Sequence, residues 1–208
     1  MDLGLKIKNA IRKVGVSYSI IRSGEVPISG EYLTYDQIIQ SARPFFREYA
    51  SDATLSHDTQ AIAGDILHFH KLNQRFILSS KVPEMFKNEV ATYSCMLFKC
   101  NVRNGLIKRS VNEDWDDQTY HKEPEWGIVE AEVDGLMTPT LYGNTLDDQE
   151  MGDFAIDRDE LYIKSSIDLR VNDRFEYPSG EYYKVVTVRT KVYEGLILAE
   201  IANDTRGR

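Results

Sequence analysis

The chain has 208 residues, 42% of them hydrophobic and 28% charged, and its mean hydropathy of -0.41 is that of a globular protein. Lys and Arg total 25 against 33 Asp and Glu, for a formal net charge of -8, so the cationic footprint that broad phosphate-backbone binding needs is absent. No apolar run reaches the roughly 20 residues of a membrane helix. The 2 cysteines, Cys95 and Cys100, form neither a disulfide framework nor a C-x-x-C pair. Lys6, Lys8, Arg12 and Lys13 interrupt the place where a signal peptide would be uncharged. The expectation is a protein with reduced thiols, made and kept in a cytoplasm.

The opening DLGLKIKNAIRKV predicts a short helix over residues 1–15. Leu3, Ile7, Ile11 and Val14 fall on one apolar stripe at helical period, and Gly15 suits the C-terminal cap. A helix this short needs something to pack on, either a β core of its own chain or a partner. From Val16 the pattern turns to β: VSYSI alternates, and Glu25–Tyr32 reads as a turn leading into a second extended segment. A long loop, Glu31 to Ala61, follows, with Pro44 breaking its middle. GDILHF, RFILSSKV and ATYSCMLFKCNV then supply three strands rich in β-branched and aromatic residues. Residues 112–126, NEDWDDQTYHKEPEW, are strongly acidic and read as a linker. Beyond them IVEAEV, ELYIKSSIDL, RFEY, YYKVVTV and GLILAEIA resume the β pattern.

The most informative feature is an internal repeat. GDILHFHKLNQRFILSSKVPEMFKNEVATYSCMLFKCN lies beside NDRFEYPSGEYYKVVTVRTKVYEGLILAEIAN, matching Asp65 to Asp173, Phe69 to Tyr177 and Asn101 to Asn203. Arg75-Phe76-Ile77 and Tyr182-Tyr183 occupy the same place in the two copies. Gly64-Asp65 and Asn172-Asp173 are turn pairs that bring a strand out of a tight bend. Upstream, SYSIIRSGEVPISG is set against GIVEAEVDGLMTPTLYG. The predicted fold is therefore mainly β: two related small β-barrel or sandwich domains, at 16–111 and 127–208, behind an N-terminal helix.

Signatures of chemistry are sparse. His68 and His70 flank Phe69 and share one face of a strand, but the other two His and the two Cys are scattered, so no zinc ligand set is predicted. The acids Asp147, Asp148, Glu150, Asp153, Asp157, Asp159 and Glu160 suggest calcium. With Gly152 at the turn position, however, Arg158 stands where an EF-hand places its bidentate Glu. P-loop, dinucleotide, nucleophile-elbow and zincin motifs are missing. Neither an enzyme, a cofactor nor a metal is expected. Tyr177, Tyr182, Tyr183 and Tyr193 leave an alternative of another class, an OB-type barrel stacking single-stranded nucleic acid.

The run from AIAGDILHF through RFILSSKVPEMFKNEVATYSCMLFKCN resembles the small β-barrel of head-closure and neck proteins of tailed bacteriophages. Gly64-Asp65, Arg75 to Leu78 and Thr92 to Asn101 carry the resemblance, and SYSIIRSGE is similar to that family's first barrel strand. It covers roughly residues 16–104. The resemblance implies a structural virion component, made in a bacterial host's cytoplasm and forming a cyclic homo-oligomer at the head-to-tail junction. Its partners would be its own copies, the portal or adaptor and tail proteins, and double-stranded DNA passing without tight binding. The second barrel-like half departs from single-barrel members, which leaves tail-completion or baseplate roles open. Phe45, Phe46 and Tyr49, beside Arg43 and Arg47, have the aromatic and Arg composition of an interface anchor. The helix stripe Leu3, Ile7 and Ile11 is the second candidate interface.

Overall fold

The computed structural model describes residues 3–37, 48–111, 125–139, 158–177 and 179–206. One helix, α1 (Leu3–Val14), precedes twelve strands. The first six are β1 (Val16–Ile21), β2 (Ile28–Gln37), β3 (Ala50–Ser56), β4 (Ile66–Phe69), β5 (Gln74–Phe86) and β6 (Glu89–Lys99). They close into a barrel in the order β1-β2-β3-β6-β5-β4. The second six are β7 (Val102–Ser110), β8 (Trp126–Pro139), β9 (Arg158–Lys164), β10 (Arg174–Glu176), β11 (Tyr182–Arg189) and β12 (Leu196–Asn203). They close as β7-β8-β9-β12-β11-β10, the same path in the same sense. The mainly β, two-barrel expectation holds.

Strand alternation builds each core. In the first barrel Tyr18 and Ile20, Ala53 and Leu55, Leu67 and Phe69, Phe76 and Leu78, and Cys95 and Leu97 point inward as i, i+2 pairs and are buried. Phe69 and Phe76 pack with ring centroids 4.5 Å apart, and Tyr35 meets Phe69 edge-on at 5.6 Å. In the second barrel Ile107, Val133, Leu161, Ile163, Phe175, Val185, Ala199 and Ile201 fill the same role. Helix α1 packs on β2, β3 and β6. Gly15 ends it by donating its N–H to Ile11 O at 2.7 Å, and a Cβ there would lie 2.4 Å from Leu33 O, so only glycine lets the chain turn into β1.

Register makes the duplication residue-specific. Asp65 O accepts Leu78 N and Asp173 O accepts Val185 N, each at 2.9 Å. Gly64 N and Asn172 N donate back to the same two residues. Leu67 pairs with Ile20 and Phe76, as Phe175 pairs with Ile107 and Tyr183. Even the bulges agree: the β5–β6 ladder skips Ser79 and the β11–β12 ladder skips Val186, one residue past the matched Leu78 and Val185. The matches of Asp65 to Asp173 and Phe69 to Tyr177 therefore stand in register.

Three expectations are corrected. First, β7 belongs to the second barrel, pairing with β8 and β10. The units are 1–100 with 191–196, and 101–190 with 197–208, rather than 16–111 and 127–208 with a linker between. Residues 112–124 lie outside the described residues, and their two flanks, β7 and β8, are paired strands of one barrel. β7, not the Gly127 segment, is thus the counterpart of β1. Second, the loop Glu31 to Ala61 contains most of β2 and all of β3. Polar Ser51, Asp52 and Ser56 hide β3 in the sequence, although Ala53 and Leu55 carry its inward face. Third, the closing asparagines are offset. Tyr183 pairs with Asn203, whereas its counterpart Phe76 pairs with Lys99. Asn101 instead exchanges two hydrogen bonds with the Met137 backbone, at 2.7 and 2.8 Å, fastening the start of β7 to β8.

Candidate assembly surface

The polar groups buried in each barrel are held by a clamp that the repeat duplicates. Arg22, just past β1, donates from Nε and Nη2 to the two carboxylate oxygens of Asp65, both at 2.8 Å. Arg109, near the end of β7, does the same to Asp173 at 2.8 and 2.9 Å. Each Asp also accepts a backbone N–H three residues before it, from Ile62 or Arg170, at 2.8 Å. The carboxylates are almost fully buried, with side chains 5% and 2% exposed, and the arginines reach solvent. A bidentate guanidinium plus an amide satisfies such an acid and fixes the turn entering β4 or β10. These groups are structural.

The second barrel has an additional lock at its end. Arg174, nearly buried, lies 4.0 Å over the Trp126 ring and 5.0 Å from that of Tyr182, and donates to Asp204 at 2.8 Å. Arg206 stacks on Trp126 at 5.1 Å and also donates to Asp204, at 2.9 Å. Burial is the largest influence on Asp204 and pushes its carboxyl up. The hydrogen bonds from Arg206 and Arg174 outweigh it and hold the group at about 2. A depressed carboxyl stabilises the fold above its unfolded value, near 3.9, and loses that contribution as pH falls through about 2. D204N therefore costs on the order of 2 kcal/mol in urea unfolding at pH 6. Its gap from the parent chain closes between pH 4 and pH 2.

On the first unit, α1 and the barrel enclose a cleft of about 170 Å³ lined by Lys8, Ile11, Arg12, Glu31, Tyr32 and Asp58, among others. Lys8 pairs with Asp58, and Arg12 lies 5.9 Å over the Tyr32 ring. Beneath it, the buried Tyr18 hydroxyl donates to Glu31 at 3.1 Å, and Thr59 donates to the same carboxylate at 2.8 Å. The polar atoms of this cleft are engaged with one another.

Of the candidate interface residues, Arg43, Phe45, Phe46 and Arg47 lie outside the described residues. Tyr49 is half-buried, and its carbonyl accepts Lys99 N at 2.8 Å as the chain enters β3. Ile11 is 4% exposed and serves its own barrel; Leu3 and Ile7 are half-buried beside it. The His68 and His70 rings do share a face, 4.9 Å apart, and His70 Nε2 lies 2.7 Å from Ser19 Oγ. Among the described residues no group of three or more His, Cys, Asp and Glu is placed to hold a metal ion. The acids from Asp147 to Asp157 lie outside the described residues. Asp159 and Glu160 sit on β9, where burial raises both carboxyls and Glu160 accepts the Tyr162 hydroxyl at 2.7 Å. Both cysteines are buried and free, and burial pushes Cys95 up to about 12, which keeps it an inert thiol.

The tyrosines proposed for base stacking are used by the fold. Tyr183 is core, Tyr177 packs against that core, Tyr182 faces Arg174, and Tyr193 meets Phe98 edge-on at 5.3 Å. What remains unengaged is a feature the sequence reading missed. β5 and β6, at 13 and 11 residues, run past the barrel as a hairpin ribbon, whereas β11 and β12 have 8 each. Lys87 and Asn88, at φ 49° and 65°, form its two-residue turn, the geometry that matches strand twist. Val82, Met85 and Phe86 on this tip are 57%, 59% and 49% exposed. The sequence signal was available: apolar residues continue through VPEMF on both faces of the strand, which a barrel wall alone does not require.

No protein-family model and no curated protein matches the chain. Among solved structures it is similar to MrkH of K. pneumonia in its apo state at 10% identity, covering 98% of this chain and 84% of that chain. The TM-score of that pairing is 0.18, a likeness that carries no argument about fold or function.

Proposed function

We propose that the chain is an assembly protein of a tailed-phage virion, one subunit of a ring at the head-to-tail junction. The observation that carries this reading is the β5–β6 hairpin, a rigid ribbon with an exposed apolar tip on an otherwise self-satisfied barrel. Exposed apolar surface beside well-paired polar groups is what an interaction element has and a finished monomer lacks. The duplicated barrels fit the same purpose, since they present two related bodies and no convergent set of reactive groups among the described residues. A ring of chains each carrying -8 presents a strongly negative body to DNA. Phosphate is then repelled and the genome slides without sticking, the converse of a gripping cationic groove.

Negative-stain images of purified virions, with this protein labelled, test the reading. The expected outcome is label at the junction of head and tail. Label at a distal tail site would move the protein to a tail or baseplate position, and none on the particle would sink the proposal. In solution the chain should show no salt-dependent retention of double-stranded DNA at 150 mM salt.

A further inference from the structure

The repeat supplies an internal example of where a hairpin tip of this type sits. The connection between β11 and β12, Lys191–Leu196, belongs to the first unit. There Gly195 donates its N–H to Ser79 O at 3.0 Å, the carbonyl of the residue that the ladder skips at the bulge. A Cβ on Gly195 would lie 2.3 Å from Gly64 N and 2.5 Å from Leu78 O, so the segment is seated tightly on the turn before β4. Tyr193 completes the contact on Phe98. The repeat-equivalent connection, the β5–β6 tip, has exposed Val82, Met85 and Phe86. The repeat-equivalent seat on the second barrel is the Asn172 turn with Val185 and the skipped Val186. Its rim residue Val171 is 52% exposed.

We infer that the β5–β6 tip of one chain docks on the Val171–Asn172 turn and Val186 bulge of a second copy. One unfilled tip and one unfilled seat on the same chain are different surfaces, so the contact is heterologous and propagates head to tail until it closes. Charge agrees with the pairing. Glu84 and Glu89 are exposed beside the tip, while Lys184 lies next to the bulge and Arg206 reaches Asn172 O at 3.1 Å. The two seats differ in polarity as their settings require. The first barrel's outer Ile66, Ile77 and Phe98 are buried, and register replaces them with Arg174, Lys184 and Ala202 in the second. A face that must stay soluble before its partner arrives is charged in this way. This inference rests on the ring reading and names the contact within it.

The test is site-directed crosslinking with sedimentation, using the full chain. F86C and V171C chains, mixed and oxidised, should give a crosslinked pair, and the double variant a ladder. The buried Cys95 and Cys100 keep the background low. F86D should weaken self-association on the order of tenfold or more while leaving the far-UV circular dichroism unchanged, as should V171D on the other surface. F86C chains crosslinking to each other, or assembly indifferent to both aspartates, would overturn this contact and leave the ring reading standing. A chain that stays monomeric at every concentration overturns the inference, and label absent from virions overturns the ring reading separately.

Discussion

Asp173→Ala lowers the unfolding free energy by about 2–4 kcal/mol, and Asp65→Ala does the same to the first barrel. Each carboxylate accepts two bonds from one guanidinium and one from a backbone amide. Removing it unfastens the turn into β10 or β4 and strands an arginine whose inner face was matched to it. The arginines are 26% and 29% exposed, so they recover some solvation by swinging outward, which keeps the cost below that of a fully buried pair. Arg109→Ala tests the same clamp from the other side. It leaves a buried, charged Asp173 with its amide partner alone, so its penalty should shrink as pH falls and the acid takes up a proton. Urea unfolding at pH 7 and pH 4 reads both effects. Equal penalties at the two pH values would mean the clamp acts through packing alone. A penalty under 0.5 kcal/mol for D173A would mean that the repeated geometry is incidental.

The clamp also shows what was legible in the sequence. The acids were found, because Gly-Asp and Asn-Asp mark turns by composition. Their partners were not, although Ile20-Ile21-Arg22-Ser23 and Ile107-Lys108-Arg109-Ser110 share a visible I-x-R-S pattern. The second of these stood on the wrong side of a supposed domain boundary. The acidic run after Val111 has a linker's composition. β7 itself is poorly patterned, since register shifts around Gly105 and Ile107 break its alternation with β8. A strand carrying bulges hides from a period-two reading, and its partner β8 was then matched to β1 in its place. β3 escaped for a different reason, small and polar residues on a short strand. The hairpin tip was hidden by success: RFILSSKV already looked like a complete strand, and only the ladder shows β5 continuing to Phe86. Fold class and repeat are written in local patterns. The candidate surface depends on where a barrel wall ends, and that is fixed by long-range pairing.

The last expected result concerns how two copies of one barrel fill the same space differently. Counting along register from Ile20 and Ile107, Gly105 occupies the place of Tyr18, and Phe175 the place of Leu67. The first barrel puts its large ring on the first strand and a smaller aliphatic chain on the fourth; the second barrel reverses the choice. A Cβ on Gly105 would meet Phe175 Cε2 at 2.7 Å and Cζ at 2.8 Å, inside contact distance of a ring that is fully buried. Gly105→Ala should therefore destabilise the protein by about 1–3 kcal/mol through overpacking, although alanine is ordinarily the better strand residue than glycine. Phe175→Leu alone opens a cavity and costs about 1–3 kcal/mol. Together the two changes move the second barrel toward the first barrel's arrangement, so the double variant should be more stable than the sum of the singles by about 1–2 kcal/mol. Urea unfolding of the three variants closes the cycle. Strict additivity would mean that the ring yields by moving rather than by being displaced, and the two cores would then be similar in topology without exchanging volume at matched positions.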